Sequence, residues 1–367
     1  MKVTIQNRSE RNRVDREKMI QECKNPIVED DFHGFLHRNC EGTEQLRMQN
    51  KKSIMAFAAL QILIFHLWIN ISSSEIENFI KQISYIGVDI FFFLSGYSLY
   101  RSDTGNYFQF IGNRFRNVYC KFILFVLIAT WLNKWDMVYV LKVIFGIDLI
   151  QNGGKAFLWF LPAIMLFYLI VPLYKKFDEK NRMIAVFTLG IVWIIIALLF
   201  TYGVKTVPIA IWWNRIPIFF IGYYLAGFHT SRRITGHRAA YLSGFALIVA
   251  ADIILAYRYA YKMKLNQPIE DMFYILVIPL AIGIAYLVSL IKENKLIRAI
   301  GSSSLELYAM QMVFGYTWAN QLLSKTKSIL VTDIATVIIL IAAAVFVHYL
   351  YQAIFCCIRR RILVTKQ

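Results

Sequence analysis

The chain has 367 residues, of which 58% are hydrophobic and 16% aromatic, and its mean hydropathy is +0.50. Soluble domains are about 45–50% apolar, so this composition excludes an ordinary soluble protein and indicates an all-α, polytopic membrane protein. The formal charge of +17 does not predict nucleic-acid binding, because the basic residues flank apolar segments, as in multi-pass membrane proteins.

The chain begins with a polar, charged segment, residues 1–53, which has no apolar core of signal-peptide length. We expect this segment to be a cytoplasmic tail, matched by a short basic tail at 356–367. The five cysteines are scattered, without CxxC spacing, which predicts reduced thiols. The histidines and cysteines have no metal-ligand spacing, so no metal site and no bound cofactor is expected.

The predicted membrane domain is residues 54–355. A bilayer core about 30 Å thick is crossed by about 20 apolar helical residues. By this criterion we predict about ten transmembrane helices, at 54–70, 84–101, 118–133, 157–174, 183–201, 209–228, 239–258, 272–291, 301–322 and 330–354. The apolar stretch "MVYVLKVIFGIDLI" at 137–150 contains a lysine and a glycine, and we expect it to be interfacial or re-entrant rather than an eleventh span.

Charge asymmetry predicts the orientation of these helices. Most of the 40 Lys and Arg residues lie in alternate connections and in both tails, and cytoplasmic connections of membrane proteins carry this excess. The pattern predicts that both termini are cytoplasmic in a multi-pass protein of the cell membrane. The basic connections are 101–121, 175–182, 229–238 and 292–298.

The first predicted span contains a single histidine, His66, in "ILIFHLWIN". Counted from the helix ends, His66 lies about 18 Å from the cytoplasmic end, and Asp89 lies about 8 Å into the next helix from the other side. Both groups would then have similar depth. A carboxylate beside an imidazole would orient it as a general base. The alternative is a neutral, buried histidine that bonds a carbonyl, with Asp89 at a wet helix end.

Further polar residues within or beside spans are candidates for a site, because charged groups in a bilayer are costly. Arg114, Arg116 and Lys121 form a basic cluster at the predicted inner mouth. Guanidinium groups suit phosphates, although ordinary positive-inside charge also explains this cluster. Arg215 is predicted near the His66 level, with snorkelling as its alternative role, and Glu306 near the inner end of the ninth span, with interfacial solvation as its alternative role.

Several stretches in order carry a resemblance to a known family. They are "ILIFHLW", "IGVDIFFFLSGYSL", "FQFIGNRFRNVY", "LWFLPAIMLFYLIVPL", "RIPIFFIGYYLAG" and "IGSSSLELYAMQ". In order and spacing the chain resembles the membrane acyltransferase family called acyltransferase 3 over about residues 53–355. The most specific part is "GVDIFFFLSGY" together with the upstream histidine.

This resemblance implies an integral membrane O-acyltransferase with about ten helices. Such an enzyme moves an acyl group, usually acetyl, from cytoplasmic acyl-CoA to a hydroxyl of a cell-envelope glycan, an exopolysaccharide or a lipid-linked glycan. By resemblance, His66 is the catalytic histidine and Arg114 is the first arginine of an Arg-x-x-Arg motif. Asp89 would support the imidazolium, and Arg114, Arg116 and Lys121 would bind the CoA phosphates.

The acceptor side is less defined by the resemblance. Trp159, with Phe91–Phe93, would line or seal the bundle. Arg215, Glu306 and Gln311 would contact the acceptor or line the path through the membrane. Gln311 stands where family members often carry a histidine.

The chain departs from the family pattern near its first two helices. Met55 occupies the place of an arginine that often precedes the catalytic histidine by eleven residues, and the helix start offers Lys51 and Lys52 as substitutes. The second arginine of Arg-x-x-Arg falls on Asn117, which leaves Arg116 as the candidate for its role.

Two other functional classes fit parts of the sequence. An intramembrane histidine, aspartate and arginine would also suit a proton-coupled transporter. A non-catalytic member of the same fold is compatible with the changes at Met55, Asn117 and Gln311.

Overall fold

The computed structural model describes residues 50–67, 84, 86–199, 208–227, 246–252, 277–326 and 328–364. All regular elements in these ranges are helical, in agreement with the predicted all-α class. The chain divides into a large unit, residues 44–344, and a second unit whose described part is 345–364. The predicted tail 1–49, most of the seventh span and part of the eighth lie outside the described residues.

Within the described ranges, residues 246–252 are helical, and fifteen further α-helices have both ends defined. They are α1 (Lys51–Leu67), α2 (Ile86–Tyr100), α3 (Tyr107–Arg114), α4 (Cys120–Asn133), α5 (Met137–Ile144), α6 (Ile147–Asn152), α7 (Phe160–Lys180), α8 (Arg182–Leu198), α9 (Ala210–Trp213), α10 (Ile216–Gly227), α11 (Ile278–Ser289), α12 (Lys295–Ser302), α13 (Ser304–Met310), α14 (Tyr316–Thr326) and α15 (Ile329–Val364). Two π-helical turns, π1 (Phe115–Tyr119) and π2 (Gln311–Gly315), join α3 to α4 and α13 to α14.

Among the described residues, three helical stretches are long and apolar enough to cross a membrane, namely Tyr107–Asn133, Phe160–Lys180 and Val331–Phe355. Shorter apolar helices are α2, α8 and α11. Many large apolar side chains on these helices are exposed in the isolated chain, which is the surface that lipid would cover. The ten spans and the side of each terminus stay predictions.

The basic connection 101–121 is helical in most of its length, which corrects the prediction of a loop before the third span. Asn106 caps α3, since its side chain accepts a hydrogen bond from the Gln109 backbone N–H at 3.1 Å. No proline interrupts the chain from there to Asn133, and π1 continues the helix into α4.

The stretch 137–150 forms two short helices, α5 and α6, separated by Gly146 in the left-handed conformation. At 1.5 Å per residue, eight and six residues extend about 12 and 9 Å, much less than a bilayer core. The segment is therefore not a full span. The buried Asp148 stabilises the chain that follows it, because its carboxylate accepts hydrogen bonds from Asn152 Nδ2 at 2.6 Å and from the Phe157 N–H at 3.0 Å.

The helix α2 lies between α1 and α10 and fixes the register of the bundle. Lys51 contacts Ser98, whereas a Cβ added to Gly87 would lie 2.4 Å from the Ala58 carbonyl oxygen, so α1 and α2 run antiparallel. Against α10, Gly96 adjoins the Phe219 carbonyl and Asp89 adjoins Arg215, so α2 and α10 run parallel. These directions agree with spans that alternate across a membrane.

Candidate active site

Asp89 on α2 and Arg215, directly before α10, form an ion pair in which both residues are buried. The Arg215 Nε lies 3.1 Å from Asp89 Oδ1, and both side chains are at most 3% exposed. A second guanidinium nitrogen, Nη1, donates to the Ile211 carbonyl at 2.8 Å. Each charge compensates the other in an environment where an isolated charge would cost several kcal/mol.

Trp159 covers this ion pair. The Arg215 guanidinium carbon lies 5.2 Å from the centre of the Trp159 ring, a distance typical of a cation–π contact. The preceding residue, Leu158, is fully buried and has a φ of +50°, a conformation that is strained for a branched side chain. The fold thus accepts local strain directly before the residue that covers the buried charges.

The predicted pairing of Asp89 with His66 is wrong. The Asp89 carboxylate pairs with Arg215 and makes no hydrogen bond or ion pair with His66. Counting residues from the helix ends gave the depth of each side chain within its own helix, but not how far α1 and α2 are shifted along each other. The contacts of Gly87 with Ala58 and Ile62 place Asp89 opposite the middle of α1, so His66 lies about 10 Å farther along the helix axis. A permanently charged guanidinium at the right level is also a stronger partner than imidazole.

His66 itself is in the last turn of α1 and is half-buried. Its ring packs edge-on against Phe65, with 5.2 Å between the ring centres. The preceding turns of α1 pack against α2, α11, α12 and α13, whereas this last turn is partly exposed. The catalytic role of His66 stays a prediction, without Asp89 as its direct support.

Three cations converge on the opposite end of α2. Lys51 Nζ donates to Ser98 Oγ at 2.7 Å, and Arg114 Nη2 donates to Ser102 Oγ at 3.1 Å. The third is Lys175 on α7, whose Nζ donates to the Ser102 carbonyl at 2.9 Å. We call these five residues the mouth cluster. Because they come from four separate helical elements, the cluster exists only in the folded bundle.

Arg114 is held in the mouth cluster by aromatic rings as well. Its guanidinium carbon lies 5.2 Å from the centre of the Phe110 ring and 5.4 Å from that of Tyr168. Its neighbour Arg116 is exposed and donates to Asn113 Oδ1 at 3.0 Å. Arg116 thus lies apart from the described contacts of the mouth cluster, and its role in place of the second arginine stays a prediction. Lys175 and Arg114 both contact Ser102, Lys175 at its carbonyl and Arg114 at its hydroxyl.

Lys121 and Glu306, both predicted near the inner side of the membrane but in different roles, are brought together. Lys121 Nζ lies 2.6 Å from Glu306 Oε1, and the two side chains are 15% and 1% exposed. Their pairing links α4 to α13. The sequence suggested separate roles for Lys121 at the donor and Glu306 at the acceptor. In the structure the two residues form one ion pair.

Aromatic side chains connect the covered ion pair to α13. Phe160 follows Trp159 and packs against Phe91 and Phe92 of α2, with ring centres 5.9 and 5.0 Å apart. On its other side, the Tyr308 ring centre lies 5.9 Å from that of Phe160. The predicted role of Phe91–Phe93 and Trp159 as packing inside the bundle agrees with these contacts.

Gln311 begins π2, one turn beyond Tyr308. It is 4% exposed, and neither its Oε1 nor its Nε2 has a hydrogen-bond partner among the described residues. The Tyr308 hydroxyl is likewise buried and makes no hydrogen bond of standard geometry in the described part of the chain, although the Phe160 backbone lies near it. A π-turn that begins at such a residue is a common feature of functional sites.

Sequence reasoning missed Lys175, Ser98, Ser102 and Tyr308 as site residues. Lys175 belongs to the run "KKFDEKNR", which looked like an ordinary positive-inside connection. Its end of α7 remains helical, however, and this directs Lys175 to the carbonyls of Tyr100 and Ser102. Within the described ranges no group of three His, Cys, Asp or Glu side chains could hold a metal ion.

Comparisons with known proteins agree with the resemblance seen in the sequence. A family model described as an acyltransferase domain, Acyl_transf_3, matches residues 55–352, which is most of the chain. No curated protein and no solved structure gave a significant match. The matched range includes α1 with His66, the mouth residues Arg114 and Lys175, and the paired Asp89 and Arg215. The chain belongs to the acyltransferase 3 family.

Proposed function

We propose that the protein is a multi-pass O-acyltransferase of the cell membrane that transfers an acyl group, taken here as acetyl, from cytoplasmic acyl-CoA to a glycan hydroxyl. The observation that carries the CoA dependence is the mouth cluster, where Lys51, Arg114 and Lys175 converge from three directions. Membership of the acyltransferase 3 family favours this activity over a proton-coupled transporter.

The mouth cluster suits a polyphosphate ligand. Arginine presents several N–H donors in a planar fork, and lysine adds point charges that can follow a flexible anion. In the described contacts, Lys51 and Arg114 donate to serine hydroxyls and Lys175 donates to backbone carbonyls, which holds the three cations close to the end of α2. Lys175 also lies in the field of the acidic residues Asp103 and Glu179, which moderates the positive potential on its side.

In the proposed reaction, a ring nitrogen of His66 accepts the proton of the acceptor hydroxyl while its oxygen attacks the thioester carbonyl. The C–S bond then breaks, and the departing CoA thiolate takes the proton from the imidazolium. The acceptor, a cell-envelope, exopolysaccharide or lipid-linked glycan, would approach at the open last turn of α1.

Asp89 has a positioning role in this scheme. By neutralising Arg215 beneath Trp159, it fixes α2 to α10 at the level between the mouth cluster and His66. The acyl-bearing arm of the donor would have to pass this level to bring its thioester to His66.

The experiment is acyl transfer from radiolabelled acetyl-CoA to envelope glycans in membranes containing the protein. His66→Ala should lower the rate by about 10²–10⁴-fold, the usual contribution of a general base. The matched control is His348→Ala, which removes another histidine in a long apolar helix, at a position 3% exposed and hydrogen-bonded to Gln352. Transfer by His66→Ala at the rate of the control would overturn the assignment.

A further inference from the structure

The buried amide of Gln311 and the buried hydroxyl of Tyr308 are polar groups that the proposed reaction has not used. Both lie in the apolar interior, at 4% and 5% exposure. The amide offers two donors and an acceptor, and the hydroxyl offers one donor and an acceptor. Leaving the Gln311 amide without partners in a dry interior costs about 1–3 kcal/mol for each unsatisfied group, and the Tyr308 hydroxyl has only the nearby Phe160 backbone. A fold that keeps both on one helix face is arranged for a polar ligand.

Their level in the bundle lies between the mouth cluster and His66. Gly301 adjoins the Lys52 carbonyl near the start of α1, since an added Cβ would lie 2.2 Å from that oxygen. Gln311 follows ten residues later, about 15 Å along the helices. Tyr308 contacts Phe160, and Phe160 contacts Phe91 next to the Asp89 level, which independently gives the same height. His66 is then about 7 Å beyond Gln311.

The two groups are also ordered along the path. Residues three apart on a helix lie on one face, about 5–6 Å from each other. A chain running from the mouth cluster to His66 would meet Tyr308 first and Gln311 next. To bond both residues, the bound molecule would need polar groups spaced along its length, each with a carbonyl and an N–H.

We propose that Tyr308 and Gln311 bind the amide groups of the pantetheine arm of the acyl-CoA donor. The inference rests on the proposed CoA dependence and extends it from the mouth cluster into the membrane interior. Two secondary amides separate the nucleotide from the thioester in this arm. Each has an N–H and a carbonyl that must be hydrogen-bonded inside the bilayer. Gln311 and Tyr308 replace water for these groups, and the thioester beyond them reaches His66.

The test compares acetyl-CoA with S-acetylpantetheine, which has both amides but no nucleotide. Gln311→Leu should raise the KM for both donors by about tenfold, because two hydrogen bonds are lost. Tyr308→Phe should raise both by about threefold. Arg114→Gln should instead raise the KM for acetyl-CoA alone. The matched controls are Gln321→Leu and Tyr316→Phe, which change the same residue types at exposed positions of α14.

A second readout separates binding from structure. Each variant is heated in detergent without ligand and with saturating acetylpantetheine, since a ligand that binds only the folded protein raises its Tm. Gln311→Leu should unfold at or above the wild-type Tm without ligand, because a buried amide without partners is removed, but it should gain less from acetylpantetheine. A lower Tm with an undiminished gain would mean a purely structural role and would overturn the inference.

The proposed CoA dependence and the proposed role of Tyr308 and Gln311 would be contradicted by different results. If neither CoA nor acetylpantetheine stabilises the wild-type protein, the CoA dependence is wrong and the inference is wrong with it. If both stabilise the wild type and Gln311→Leu to the same extent, only the inference is wrong. Should Gln311→Leu not fold, Tyr308→Phe decides alone, because it removes a single oxygen atom.

Discussion

Cations at the mouth of the bundle and cations in its interior are held by different kinds of partner. In the interior, Arg215 and Lys121 each contact a buried carboxylate. At the mouth, the described hydrogen bonds of Lys51 and Arg114 end on serine hydroxyls. An ion pair cancels charge, whereas a hydrogen bond to a hydroxyl only orients it. The interior cations therefore hold helices together through ion pairs, whereas the described contacts of the mouth cations orient them at the end of α2.

The role of the interior ion pairs is tested most directly by removing one charge of the Asp89–Arg215 pair. Asp89→Asn leaves the Arg215 guanidinium buried without a carboxylate, and we expect a loss of about 3–5 kcal/mol in the free energy of unfolding. Unfolding in detergent, followed by heat or denaturant, measures this loss. The double variant Asp89→Leu with Arg215→Met should recover most of it, because no charge remains buried. A single variant as stable as the wild type would show that the pair is not cohesive.

The second interior pair should respond more weakly. Glu306→Gln removes the carboxylate opposite Lys121, whose side chain is 15% exposed and can turn toward water. We expect a loss of about 1–3 kcal/mol by the same unfolding measurement. A loss as large as that of Asp89→Asn would contradict the ranking by burial.

In the mouth cluster, a substitution should have a small effect on the free energy of unfolding and a large effect on ligand binding. Arg114→Gln should change the unfolding free energy by less than about 1 kcal/mol, but weaken acetyl-CoA binding about tenfold. The remaining affinity should also depend less on salt, because one charge in contact with phosphate is lost. Titration of binding at two ionic strengths measures both quantities. The control is Arg116→Gln, an exposed arginine two residues away, and equal effects of both variants would contradict a specific site.

The smallest expected effect concerns the hydroxyl that orients Arg114. Ser102→Ala removes the acceptor of the 3.1 Å hydrogen bond but keeps the backbone carbonyl that Lys175 contacts. A lost hydrogen bond to a charged group predicts a weakening of acetyl-CoA binding by about three- to tenfold, with acetylpantetheine unaffected. Equal losses for both donors would show that Ser102 acts on the whole bundle rather than on the nucleotide end.

Much of the architecture followed from the sequence. Apolar segments of the right length predicted most of the described helices, and Lys142 and Gly146 were sufficient to exclude an eleventh span. The histidine and the "GVDIFFFLSGY" stretch indicated the family that the comparison confirms.

The partners of the polar residues could not be predicted in the same way. The positions of Asp89 and His66 along their own helices were known, but their relative height depends on where Gly87 meets α1. Likewise, Lys121 and Glu306 are 185 positions apart, and nothing in either local sequence indicates that α4 and α13 adjoin. Helix existence is a local property, whereas pairing depends on packing between distant segments.

The close approach of α2 and α10 restricts how the protein can move. A Cβ on Gly96 would lie 1.9 Å from the Phe219 carbonyl oxygen, and one on Gly222 would lie 2.2 Å from that of Phe93. Backbones this close cannot slide past each other without collision, so the two helices travel as one rigid body. A larger residue at Gly96 or Gly222 would therefore push α2 and α10 apart and strain the Asp89–Arg215 pair that joins them.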